Sequence, residues 1–279
     1  MIRPFDSFND SAPGPVVVTV THAGRDYPEW VHDRLAVTVA RALPLEDRLA
    51  DLLVETAVAI GHRTLIARMP RLLIDLNRAE TDFEARAVSG ARDPVARPSH
   101  RARGGLGLVP ERLGNVRLWR TPLRAAELAE RIVAVHRPWH SAVDSALAQA
   151  RAAGDRAVLV DVHSMPSLAA LGAAQVVIGD RHGASASPEV TERAASIFRD
   201  AGLRVAVNAP YAGAYMLERH GRPARGVSAI QIEIDRRLYL DPVLDGPGTG
   251  LAAMQGLIAA LADRLESPGD NAIWPLAAE

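Results

Sequence analysis

The sequence predicts a single α/β domain with a central, mixed but mostly parallel β-sheet and helices on both faces. Three observations carry this. Two apolar runs, Val16–Val20 and residues 157–160, end abruptly in polar residues, as buried parallel strands do where they reach a site. Strand-like runs alternate with helical patterns along the chain. No repeat or linker-like stretch divides residues 1–279, a length that supports one large core.

In chain order, Val16–Val20 is a strand followed by the loop 21–28. Residues 28–42 have a helical pattern through Trp30, Leu35 and Val39. Residues 47–60 form a stronger one, with Leu49, Leu52, Leu53, Thr56 and Ala57 at helical spacing. Arg63–Ala67 and residues 72–74 read as short strands. Residues 76–105, poor in apolar side chains, read as a long loop, which in a compact domain is usually functional or mobile. Residues 122–153 form a long amphipathic helix interrupted at Pro138. Strands follow at 157–160 and 176–178, then a helix at 188–201 capped by Ser187. Strands at Val205–Val207 and 229–234 and a helix at 250–265 complete the chain.

Composition excludes several chemistries. The 279 residues contain no cysteine, so disulfides, thiolate metal sites and cysteine nucleophiles are absent. All 32 basic residues are arginine, which removes Schiff-base chemistry and P-loops. The net charge of −1, with both signs interspersed, suggests neither a nucleic-acid nor a membrane surface. No apolar stretch is long enough to span a bilayer, and the first residues lack a secretory h-region. A cytoplasmic protein acting on a small molecule is the expectation; oligomeric state is not legible.

Two histidines stand at predicted strand ends. His22 lies in Thr21-His22-Ala23-Gly24, where Gly24 permits a tight turn around a bound group. His163 follows Asp161 by two residues, on the same side of an extended segment, where a carboxylate can orient an imidazole. Two histidines are half of a metal site. Glu46 and Asp47 open the second helix; either offers the hard ligand that completes a His₂-carboxylate site with one open position, although an acid at a helix start is also favoured by the dipole alone. Arg71, Asp75, Asn77 and Arg78 form a dense polar cluster whose donors suit a carboxylate, or surface ion pairs. Glu233, flanked by Ile232 and Ile234, is either a general base or one member of the polar face Gln231, Glu233, Asp235. The pair His136 and His140 has helical ligand spacing, but no glutamate follows His136 and Pro138 intervenes, so packing, or one histidine lining the pocket, is the preferred reading. Ser164 lacks the Gly-x-Ser-x-Gly setting of a serine nucleophile.

Seven motifs in order give these residues a family. They are Thr21-His22-Ala23-Gly24 with Pro28; Arg71 through Ile74-Asp75-Leu76-Asn77-Arg78; Arg137-Pro138-Trp139-His140; Asp161-Val162-His163-Ser164; Asn208 with Gly213; Gly221-Arg222-Pro223; and Gln231-Ile232-Glu233-Ile234 leading to Leu238-Tyr239-Leu240-Asp241. In this the chain resembles the N-formylglutamate amidohydrolases, relatives of the zinc carboxypeptidases and aspartoacylases, from about Val16 to Leu240. It departs from their pattern where Thr21 replaces a proline, and around Asn208–Tyr211 and Tyr215–Arg219. The resemblance implies a zinc-carboxypeptidase-like fold and one Zn²⁺ ion, or another divalent metal, on His22, Asp47 and His163. It implies Glu233 as the base that activates water, Arg71 as the group polarising the scissile carbonyl, and Asn77 with Arg78 gripping a substrate carboxylate. The expected reaction is hydrolysis of an N-acyl acidic amino acid, N-formyl-L-glutamate to formate and L-glutamate, as in histidine degradation. Alternatives are an N-acyl-aspartate, N-succinylglutamate or small-peptide activity, or a non-catalytic binding protein of the same fold.

Overall fold

Alternating side-chain polarity along two central strands explains how this chain builds both a core and a cleft from one sheet. The computed structural model describes residues 3–90, 98–170 and 172–267. Its main sheet comprises β1 (Phe5–Phe8), β2 (Val16–Val20), β3 (Arg63–Ala67), β8 (Ala157–Met165), β9 (Val176–Gly179), β10 (Val205–Val207) and β11 (Val227–Asp235). Two small ladders lie apart from it, β4 (Val88–Ser89) with β7 (Leu123–Arg124), and β5 (Arg112–Leu113) with β6 (Val116–Arg117). The main sheet has the order β1-β3-β2-β8-β11-β9-β10. Its centre, β3-β2-β8-β11, is parallel; β1 runs antiparallel to β3, and β9 antiparallel to β11.

Val158, Val160, Val162, Ile230, Ile232 and Ile234 face one apolar layer. It is covered by α7 (Pro188–Asp200) and α9 (Leu251–Glu266). Ala157, Leu159, Val17 and Ala229 face the other layer, where α6 (Arg137–Ala152) packs through Trp139, Val143 and Leu147. On this second face each row turns polar toward the strand's carboxyl end: Leu159 is followed by Asp161 and His163, Ala229 by Gln231 and Glu233, Val17 by Thr19 and Thr21. The second core is thus formed at the strand starts while the first runs the length of the strands, and one face is freed for chemistry at the strand ends. Among the described residues, no helix is long and apolar enough to cross a membrane.

Several elements differ from expectation. The strand expected at 157–160 runs on to Met165, because β11 pairs with it residue for residue and the backbone ladder continues beneath the polar side chains. Residues 72–74 are no strand: Leu73 and Ile74 turn back on the Pro70 carbonyl, while Leu72, Leu73 and Ile74 are buried. The helix expected at 47–60 begins only at residues Leu52–Val54, as a 3₁₀ turn leading into α3 (Glu55–Ala59). Leu49 has φ +54°, outside helical geometry, and the Asp47 N–H is drawn to the His22 carbonyl at 3.1 Å.

The pattern at 28–42 breaks into α1 (Trp30–Arg34) and α2 (Val39–Ala42), since Leu35 bridges to Trp119 and the Ala36 N–H donates to the Leu118 carbonyl. The interruption at Pro138 is a π turn, Ile132–His136, between α5 (Ala125–Arg131) and α6. A wider turn there absorbs the contact between the proline ring and the preceding carbonyls. Strand β1 and α8 (Tyr215–His220) were not anticipated. The long loop at 76–105 carries short structure, including α4 (His100–Arg103); its residues 91–97 lie outside the described residues.

Candidate active site

A cleft of about 480 Å³ opens at the carboxyl ends of the central strands, and it collects His22, Asp47, Arg71, Asn77, Arg78, His163 and Glu233. These seven side chains come from five separate stretches of sequence. His22 follows β2, Asp47 sits in the turn ahead of α3, Arg71 to Arg78 lie on the connection after β3, and His163 and Glu233 stand opposite each other on β8 and β11.

One ligand atom each from His22, Asp47 and His163 fall within 4.8 Å of one another, all from buried residues, so this group could hold a metal ion. The Nδ1 atom of His163 lies 2.8 Å from Asp47 Oδ2, and that of His22 lies 3.5 Å from the same oxygen. Each histidine is fixed from behind at Nε2, His22 by Asp75 at 2.7 Å and His163 by Asp161 at 2.7 Å. Such outer carboxylates set the ring orientation of metal-bound histidines. The outer acids are themselves held: Asp161 accepts from the Thr19 and Thr21 hydroxyls at 2.8 and 2.6 Å, and Asp75 from Arg71 Nε and the Asn77 N–H, both at 2.8 Å. Thr21, which departs from the family pattern, therefore has a role in the His163 support. Gly24 also has a role, but not the one expected: a Cβ there would lie 2.2 Å from the Met69 carbonyl, so the turn is small because it packs against the chain leaving β3.

The electrostatics follow from this packing. Burial opposes ionisation of Asp47, but hydrogen bonds from His163 and His22 hold its carboxyl well below the usual range. Asp75 is likewise held low against burial by Arg71, His22 and Arg78. Burial works against a charged His163, yet Asp161 and Asp47 raise it well above an ordinary histidine. Glu233 behaves in the opposite way. Half-buried, and accepting one hydrogen bond from Gln231 Nε2 at 2.7 Å, it is pushed up to about 7, chiefly by loss of water, with Asp47 adding to the rise and His163 opposing it.

Arg71 stays charged although half-buried, since Asp75 and Asp47 outweigh the cost of desolvation. Arg78 donates through Nε to the Leu106 carbonyl at 3.1 Å and through Nη1 to the Asn77 carbonyl at 2.7 Å. The Asn77 side-chain oxygen accepts from the Met216 N–H at 2.8 Å; its amide nitrogen makes no hydrogen bond among the described residues. Glu46 points away, its carboxylate bonded by Tyr27 at 2.6 Å and Arg48 at 3.3 Å. His136 and His140 are buried side by side in packing, His136 against the Arg78 carbonyl at 2.8 Å and His140 against His220 at 2.9 Å. Ser164 accepts from Arg236 Nε at 3.1 Å and has no histidine partner among the described residues.

Arg101, Tyr211, Gln231 and Arg236 also line the cleft, and sequence reasoning did not place them there as functional groups. Gln231 had a signal, because it shares the strand face of Glu233. Arg101 and Arg236 had none, lying in arginine-rich stretches without periodicity.

Fold and site define the class: an α/β protein whose central parallel strands and the loops after them bring a His–Asp–His group able to hold a metal ion, with a glutamate and several arginines, to one cleft. The comparisons make it specific. A family model described as N-formylglutamate amidohydrolase matches residues 14–240, and the chain belongs to that family. It is 27% identical over 234 residues to an N-formylglutamate deformylase of Pseudomonas putida, covering 81% of this chain and 82% of the relative. The same identity, over 235 residues and the same shares of each chain, relates it to the N-formylglutamate deformylase of Pseudomonas aeruginosa. The crystal structure of N-formylglutamate amidohydrolase from Ralstonia eutropha JMP134 superposes with a TM-score of 0.87 at 28% identity, covering 95% of this chain and 98% of that one. A protein from Agrobacterium tumefaciens shares the fold, with a TM-score of 0.63 at 22% identity over 94% of each chain.

Proposed function

We propose that this chain hydrolyses N-formyl-L-glutamate to formate and L-glutamate, with one zinc ion held by His22, Asp47 and His163. The observation that carries the reading is the convergence of two histidine Nδ1 atoms on Asp47, each ring fixed at Nε2 by its own buried aspartate. Two nitrogens and a carboxylate oxygen with an open fourth position suit zinc and hydrolytic chemistry. When bound, the ion supplies Lewis acidity for a carbonyl oxygen and the attacking water. The names of the Pseudomonas relatives and of the Ralstonia structure support the substrate.

Glu233 takes the proton from water as its oxygen attacks the formyl carbon, then returns that proton to the amide nitrogen as the C–N bond breaks. Loss of water raises the Glu233 carboxyl above the usual carboxylate range, the direction that suits a group taking up a proton and giving it back. Arg71, anchored through Nε by Asp75, turns its remaining N–H groups to the carbonyl oxygen where negative charge develops. Asn77 and Arg78 bind a carboxylate away from the scissile bond.

The test is formate release from N-formyl-L-glutamate, beside N-acetyl- and N-succinyl-L-glutamate, with zinc content measured on the same samples. The N-formyl substrate is expected to lead in kcat/KM. Glu233→Gln should lower kcat by roughly 10²–10⁴-fold while retaining zinc, as expected for loss of a general base. Loss of zinc in Glu233→Gln would make Glu233 a ligand, and preference for another acyl group would overturn the substrate.

A further inference from the structure

We infer that Arg101 reads the second carboxylate of the substrate, making this cleft selective for dicarboxylic over neutral N-acyl amino acids. The inference rests on the proposed reaction and adds a specificity residue to it. Four arginines line the cleft, Arg71, Arg78, Arg101 and Arg236. Three have work to do: Arg71 is anchored on Asp75, Arg78 is bonded to the Leu106 and Asn77 carbonyls, and Arg236 is bonded to Ser164 and the Glu46 carbonyl. The Arg101 side chain is exposed and, among the described residues, makes neither a hydrogen bond nor an ion pair.

Arg101 is nevertheless held in place. Its backbone carbonyl accepts the Leu106 N–H at 2.9 Å. The short helix α4 is fastened through Ser99, whose N–H and hydroxyl both donate to Asp82 at 2.8 Å. Asp82 in turn lies 3.9 Å from Arg78 Nε, so Arg101 and Arg78 are carried by one connected support. Their charges repel: burial and then Arg71 lower the affinity of Arg78 for its proton against the pull of Asp75 and Asp82, and Arg101 adds to the lowering in the smallest measure. Two cations lining one cleft, one of them without an acidic partner among the described residues, form a site for an anion that contacts both. If Asn77 and Arg78 bind one carboxylate of N-formylglutamate, Arg101 is the cation left for the other.

The zinc-loaded protein tests this through a preference ratio read in two ways. The first is kcat/KM for N-formyl-L-glutamate over N-formyl-L-glutamine. The second is calorimetric affinity for L-glutamate over L-glutamine, which needs no turnover. Wild type should prefer the charged side chain by at least about tenfold in both, the lower end for a hydrogen bond to a charged group. Arg101→Met should bring both ratios close to one, and Arg101→Lys should keep most of the preference. A wild type without preference, or a preference that survives in Arg101→Met, overturns the inference. Turnover of N-formyl-L-glutamate with an unchanged ratio in Arg101→Met rejects Arg101 but leaves the proposed reaction standing. Absent turnover, with a glutamate preference in binding that collapses in Arg101→Met, rejects the reaction but not the carboxylate site.

Discussion

Glu46 and Asp47 are neighbours in sequence with opposite surroundings. Glu46 is absorbed by Tyr27 and Arg48, and burial raises its carboxyl. Asp47 faces two imidazoles that hold it ionised. Asp47→Asn should therefore weaken zinc affinity severely, whereas Glu46→Gln should leave it nearly unchanged; equilibrium titration of zinc into each variant decides, and the reverse ranking would move the ligand to Glu46. Asp161 touches only the far side of His163, so Asp161→Asn should cost less, roughly 10–100-fold in zinc affinity. A loss as large as that of Asp47→Asn would mean that the His163 ring collapses without its support. At this scale the sequence was informative wherever a polar side chain interrupted an apolar run, as at His163 and Glu233. It could not separate Glu46 from Asp47, because their difference lies in partners far along the chain.

The central elements were legible as apolar runs, and their extent was not. Strand β8 reads as finished at Val160 because its next residues are polar, yet pairing with β11 continues it to Met165. The register that places Glu233 opposite His163 is a long-range fact that local periodicity does not carry. The turn at 47–51 was misread for a related reason: its leucines have helical spacing, but the Asp47 backbone is recruited by the His22 loop.

Helix α6 and the π turn before it make a prediction of their own. His140 is depressed to about 2 by burial, with His136, His220 and Arg219 adding to the effect, and His136 is lowered by burial although Glu80 and the Arg78 carbonyl oppose this. Asp144 and Tyr215 complete the surroundings. A folded histidine below its unfolded value leaves the unfolded chain binding more protons, so stability is present above about pH 6.5 and falls as pH drops below it. Urea unfolding at pH 7.5 and 5.5 should differ by about 1 kcal/mol from His140 alone, and His140→Gln should remove that share. An equal loss in wild type and variant would show that His140 does not contribute.

At the scale of the whole molecule, one sheet serves two functions because its faces are used differently along their length. One face of β2, β8 and β11 is apolar along its length and the other only at the strand starts, which builds both cores, and the polar ends of that second face support a His–Asp–His group, a half-buried glutamate and the arginines around them. The architecture and the order of the motifs could be read from sequence, and so could candidates that the fold gathers in one cleft, His22, Arg71, Asn77, Arg78, His163 and Glu233, since each lies at a strand end or in a distinctive motif. The Arg101 contribution could not, because nothing local marks which of many arginines the fold turns toward the cleft.

The central claim is that this group holds the ion on which hydrolysis depends. It is tested most directly by measuring formate release from N-formyl-L-glutamate in protein stripped by a chelator, then titrated with zinc. The account predicts no turnover in the stripped protein and activity rising linearly to saturate at one zinc per chain in wild type, with no recovery in His163→Ala. Full turnover without metal, or recovery in His163→Ala at the same stoichiometry, would contradict it.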